Sequence, residues 1–312
     1  MGGDQVASIS IGDSIGEGFA LIRRQPVTVL VWGALQTAVS LVLTMVMNPT
    51  YTGMMQSVQS MSAAGNSSAA AMANLAPMLQ AEGVLMLIGT VGFFFSLIFY
   101  CAVFRAVLRP NEKSFAYLRV GMTEVLLFAF VIGASIGLGF GVVIAFIPVF
   151  LLVAIAAAAH APVISGLFIV VAYIGILVAL VWAGLRLSLV GPMMISDGRF
   201  HFRDAWKLTR GHAGALFAIG LCLTVVLLVV MAVNVALTLS MGGPQAQSLM
   251  QAFQAPHPGA PPAQLIPPLT PMVVVKYLIA IPVSGCIIAI WGAPWARAYR
   301  DLAQPDVAAT FA

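Results

Sequence analysis

Basic and aromatic side chains carry most of the chemistry this sequence offers. Residues 199–211, RFHFRDAWKLTRG, hold Arg199, Arg203, Lys207 and Arg210. At the helical increment of about 100° per residue, these four fall within an arc of about 80°. Phe202, Ala205, Trp206 and Thr209 fill the neighbouring arc. Such a helix can sink its apolar arc into the acyl boundary of a bilayer while the basic arc meets lipid phosphates. Each basic residue then contributes about 1 kcal/mol near an anionic leaflet. A plainer reading gives these charges only the tasks of fixing topology and solvating a loop. Arg23 and Arg119 stand in related surroundings, each four residues after an aromatic side chain (Phe19, Phe115), as Arg210 follows Trp206.

Other chemistries find little support. His160, His201, His212 and His257 lie far apart, with no Cys or carboxylate at metal-ligand spacing. Cys101, Cys222 and Cys286 each sit in an apolar run and read as small buried residues. No paired carboxylates occur within the apolar runs, and Gly137, Gly139 and Gly141 lack the Lys and Ser/Thr of a phosphate loop. No catalytic, cofactor or metal site is therefore expected. The spacing of Gly133, Gly137 and Gly141 predicts close helix packing in lipid instead. Arg186 is the charge nearest to a span interior. It stands either in the inner half of the membrane, paired with a carbonyl or a lipid phosphate, or at the interface on a projecting helix, which is the favoured reading.

The elements that must position these residues are apolar. Of 312 residues, 61% are hydrophobic and only 8% charged, against about a quarter in soluble domains. That balance excludes a soluble fold. The net charge of +4 reflects scarce acids and does not point to nucleic acid. Six stretches can each supply the ~20 residues of a transmembrane helix: 27–47, 83–108, 124–157, 162–195, 213–240 and 272–296. Pro148 is expected to kink the third, and a hairpin near His160 to join it to the fourth. The connections 48–81 and 243–271 are low-complexity and read as partly helical or disordered loops. The first span lacks a small-residue cleavage site and reads as an anchor, not a signal peptide.

With six spans, thirteen of the fourteen Lys and Arg fall on the side of the N-terminus, Lys276 being the exception. The positive-inside rule then places both termini on the cytoplasmic side of a bacterial inner membrane. All five Trp (32, 182, 206, 291, 295) lie toward that side, as interfacial anchors would.

Three segments precede odd-numbered spans. Residues 10–24 place Ile11, Ile15, Phe19 and Ile22 on one helical face, with Ser10 and Asp13 as a cap. Residues 111–121 and 199–211 align with it through the aromatic–arginine interval. The expected fold class is therefore an all-α polytopic membrane protein. It would have six transmembrane helices and three interfacial amphipathic helices, in repeat units of about 10–108, 111–195 and 199–300.

The stretches Leu185–Pro192, Asp197-Gly198 and Phe202–Gly211 resemble the membrane domain of bacterial glycerophosphoryl diester phosphodiesterases and related stand-alone multi-span proteins. Phe19, Arg23, Arg24 and Pro26, with Tyr117–Gly121, extend the likeness. In fused members the resemblance implies catalysis by a separate barrel holding a metal. No barrel follows the last span here, so no activity is expected to carry over. The expected role is non-catalytic engagement of anionic lipid headgroups, or of a protein partner in the membrane, through the basic face. The alternative is a transporter or flippase-like protein for a lipidic or apolar substrate.

Overall fold

The computed structural model describes residues 9–63, 68–112, 114–159, 162–198, 202–241 and 271–303. Among them the elements are helical: α1 (Ile11–Arg24), α2 (Pro26–Ala63), α3 (Ser68–Leu108), a single 3-10 turn (Phe115–Tyr117), α4 (Met122–Ala158), α5 (Pro162–Leu187), α6 (Val190–Asp197), α7 (Phe202–Leu208), α8 (Ala213–Met241) and α9 (Pro271–Ala303). Six helices are long and apolar enough to cross a membrane, as the composition demands. The protein is an all-α, multi-pass membrane protein in architecture. Helix is the spanning form open to it, because lipid offers no partner for a backbone N–H or C=O.

The spans differ from expectation in their ends. α2 and α3 run on through Pro49 and Pro77, so residues 48–63 and 68–81 are helical extensions and not a loop. α4 continues through Pro148. The stretch read as one fourth span divides instead: α5 stops at Leu187, and α6 restarts at Val190 with Gly191 and Pro192 in its first turn. A proline is tolerated there because first-turn N–H groups have no helical partner. α6 is short and deeply buried, with Val190, Pro192, Met193, Met194 and Ile195 inside. It ends on Gly198, whose φ of 67° closes an N–H bond to the Met194 carbonyl. His160 and the connection 243–270 lie outside the described residues.

Of the three interfacial helices expected to open the repeat units, the described residues form two. α1 forms as expected, with the Asp13 amide donating to Ser10 Oγ at 3.3 Å. Its buried residues are Ser14, Glu17, Gly18 and Leu21, whereas Ile11 and Phe19 of the apolar face are exposed. The described residues of 111–121 do not form an amphipathic helix. Its backbone makes one 3-10 turn, with positive φ at Ala116 and Tyr117, and then runs extended at Leu118. α7 is helical over only seven residues.

The chain folds into two compact units, each built from distant segments. One unit takes its described residues from Met1–Glu17, Cys101–Gly220 and Gly292–Ala312. It contains the α4–α5 hairpin, α6, α7 and terminal portions of α3, α8 and α9. The α4 and α5 span cores bury almost none of their side chains in the protein, which leaves an apolar surface suited to lipid. The other unit, Gly18–Tyr100 and Leu221–Trp291, holds α2 and the greater part of α3, α8 and α9. There α2 and α9 meet backbone to backbone. A Cβ added at Gly33 would collide with the Ile281 carbonyl, and one at Gly285 with the Val29 carbonyl. Trp32, beside this crossing, is wholly buried and so is not an interfacial anchor.

Candidate functional site

The charge is concentrated in the first unit. Of the twenty described Lys, Arg, Asp and Glu, sixteen belong to it, leaving Arg23, Arg24, Glu82 and Lys276 in the other. Two arginine-centred clusters organise them.

The first cluster fixes α7. Arg186, in the last turn of α5, lies over the Trp182 ring at 5.5 Å and the Trp206 ring at 5.6 Å. The two indoles meet edge to face, their centroids 5.2 Å apart at 83°. The guanidinium donates to Thr209 Oγ1 at 3.3 Å, and that hydroxyl donates to the Trp206 carbonyl at 3.0 Å. A guanidinium between indole faces gains from the ring quadrupole while its charge stays hydrogen-bonded. Ala205 and Thr209 are buried, and Trp206 half-buried. Ala205, Trp206 and Thr209, from the arc expected to enter the acyl boundary, therefore dock on protein, and α7 packs against α5 and α6. As a consequence Arg203, Lys207 and Arg210 are all exposed, with Asp204 exposed among them.

The second cluster fixes the connection between α3 and α4. Arg105, in the last turn of α3, forms an ion pair with Glu124 in the first turn of α4, and both are buried. Glu124 Oε2 also accepts the Gly121 amide at 2.8 Å, in the manner of a helix-capping carboxylate. The other Arg105 amino nitrogen donates to the carbonyls of Tyr117 and Arg119, each at 3.4 Å. Tyr117 donates its hydroxyl to the Pro110 carbonyl at 3.1 Å. These bonds hold the backbone of 114–121 around a buried cation, which is why those residues do not form a free helix. Next to it, Arg109 pairs with Glu112 at 2.7 Å and donates to the Ser196 carbonyl, near the C-terminus of α6, at 2.5 Å. A cation suits the negative end of a helix dipole.

A smaller ion cluster ties α1 to α9. Buried Glu17 lies 3.7 Å from both Arg297 and Arg300, and Arg297 also bonds Asp301 at 2.9 Å.

The expected site residues are thus divided. Arg203, Trp206, Lys207, Arg210 and Arg186 come together around α7. Arg119 is exposed beside the second cluster, and Arg23 is exposed in the other unit. Arg199 lies outside the described residues. A Cβ at Gly133, Gly137 or Gly141 would meet nothing within 4 Å in this chain. Sequence reasoning passed over Arg105, Arg109, Glu17 and Glu124. A signal existed for Glu124 in Gly121-x-x-Glu124, a carboxylate placed to cap its own helix start. Among the described residues no group of three His, Cys, Asp or Glu is placed to hold a metal ion.

Compared with protein-family models, curated proteins and solved structures, the chain matches none of them.

Proposed function

We propose that this is a non-catalytic integral membrane protein that engages anionic lipid headgroups through α7, with a role in membrane organisation or envelope homeostasis. One observation carries the reading. Trp206 of α7 and Thr209 just after it are taken up by Arg186 and Trp182, and three basic side chains remain exposed. A helix held by its own protein presents a fixed charge pattern without ordering cost at each encounter. In this reading both termini lie on the cytoplasmic side of a bacterial inner membrane, where anionic lipid gives basic residues a partner. The chain would be a relative of the phosphodiesterase membrane domains it resembles.

The test is the lipid that remains bound after detergent extraction, identified by mass spectrometry. Wild type should retain phosphatidylglycerol and cardiolipin in excess over their share of the membrane. Arg203→Gln/Lys207→Gln/Arg210→Gln should retain lipid in proportion to that share. Equal enrichment in both proteins would refute the role of α7.

A second reading has its own observation. In the other unit an apolar cavity of about 230 Å³ lies between α8 and α9, lined among others by Leu227, Val230, Pro282, Cys286 and Trp291. Such a groove fits an acyl chain and supports transport of a lipidic substrate. Val230→Trp, which fills the groove, should block transbilayer movement of a labelled lipid in proteoliposomes if that reading is right. Unchanged lipid movement in Val230→Trp would count against it.

A further inference from the structure

We propose that the cavity between the end of α3 and the start of α4 binds a phosphate group. The cavity measures about 260 Å³ and is lined by Arg105, Arg109, Arg119, Glu112, Glu124 and Thr123, among others. Its charge does not balance internally. Among the described residues that line it, Arg105 answers Glu124 and Arg109 answers Glu112, so the guanidinium of Arg119 is one positive charge in excess. That excess is mounted on a rigid wall. Arg105 is tied to two backbone carbonyls and Arg109 to the Ser196 carbonyl, which leaves neither side chain freedom to reorganise. A guanidinium carries five N–H donors, more than these partners consume.

The shape of the donor set selects the ligand class. Three guanidinium groups around one space need an acceptor with several oxygens pointing in different directions. A tetrahedral phosphate supplies them, whereas a planar carboxylate offers two oxygens in one plane. The first turn of α4, at Met122 and Thr123, adds backbone N–H groups that a helix start cannot satisfy internally. At about 30 Å³ per water, the volume holds a phosphate and a few further atoms of an ester chain. The group could arrive as a lipid headgroup or as a soluble phosphate. This goes beyond the α7 reading, since Arg203, Lys207 and Arg210 are not among the residues lining the cavity.

The test has two arms on the full chain. In dodecyl maltoside, which carries no phosphate, inorganic phosphate is titrated by calorimetry. In nanodiscs, retention of phosphatidic acid is compared with that of diacylglycerol, the same lipid without its phosphate, by native mass spectrometry. Arg119→Gln, at an exposed position, should keep the wild-type melting temperature and weaken binding at least tenfold. Arg119→Lys, which keeps charge but loses the fork, should recover only part of it. Binding in the first arm identifies a soluble phosphate, and preference for phosphatidic acid in the second alone identifies a headgroup; either supports the site. Arg203→Gln/Lys207→Gln/Arg210→Gln should bind phosphate as wild type does in the first arm. The proposal is overturned if wild type binds in neither arm, if Arg119→Gln binds like wild type, or if only the triple variant loses binding.

Discussion

The two units of this protein hold themselves together by opposite means. In the one built on α2 and α9, helices approach until only glycine fits, and Gly33 and Gly285 sit where any side chain would strike a carbonyl. In the one containing α4 to α7, a buried Arg105–Glu124 ion pair joins the end of α3 to the start of α4. The contrast follows from what each contact must satisfy. Lipid gives no hydrophobic gain for bringing helices together, so close backbone contact must supply the attraction. A connection that turns the chain back must instead satisfy loop carbonyls, and a guanidinium can reach several at once.

The comparison breaks most severely at Glu124. Glu124→Ala leaves the buried Arg105 without its carboxylate, at an expected cost of about 3–5 kcal/mol. Thermal unfolding of the detergent-solubilised variant measures it, and a melting temperature equal to wild type would show the pair to be ornamental. Next come the glycines of the other unit. Gly33→Val or Gly285→Val should cost about 1–3 kcal/mol by overpacking, with loss of monodisperse protein on gel filtration. Gly137→Ala sharpens the point with the opposite sign. Its Cβ stands in open space, so the better helix former should add up to about 1 kcal/mol.

A smaller effect is expected at Trp206. Trp206→Ala removes the cation–π and edge-to-face contacts, worth about 1–2 kcal/mol together. Hydrogen exchange over 202–210 should accelerate while exchange in α2 and α9 stays as it was. The smallest effect on stability belongs to Arg203→Gln/Lys207→Gln/Arg210→Gln, within about 0.5 kcal/mol of wild type because the three side chains are exposed. Its consequence should appear in lipid retention alone.

What the sequence discloses tracks the range of the interaction. Long apolar runs announce their own solvent, so all six spans were legible, and the cap of α1 rests on Ser10 and Asp13, three residues apart. The apolar arc of α7 was legible as well. What covers it was not, because Trp182 and Arg186 arrive from another helix. The helix expected over 111–121 misled for the same reason. Phe115 and Arg119 sit at the interval seen in α1, yet Arg105, from α3, captures the carbonyls of Tyr117 and Arg119. Small-residue spacing marks where helices can approach closely, and it cannot say which do. The 133–137–141 series faces open space, whereas single glycines at 33 and 285 make the contact.

The central claim is that α7 recognises anionic lipid because Arg186 and Trp206 hold its charges in place. The direct measurement is native mass spectrometry of the protein in nanodiscs of mixed phosphatidylglycerol and phosphatidylethanolamine. It compares wild type, Arg203→Gln/Lys207→Gln/Arg210→Gln and Trp206→Ala. The expected result is a preference for phosphatidylglycerol in wild type that both variants lose, although Trp206→Ala keeps every charge. A wild-type preference in Trp206→Ala would mean that charge suffices without the clamp. No preference in wild type would contradict the account outright.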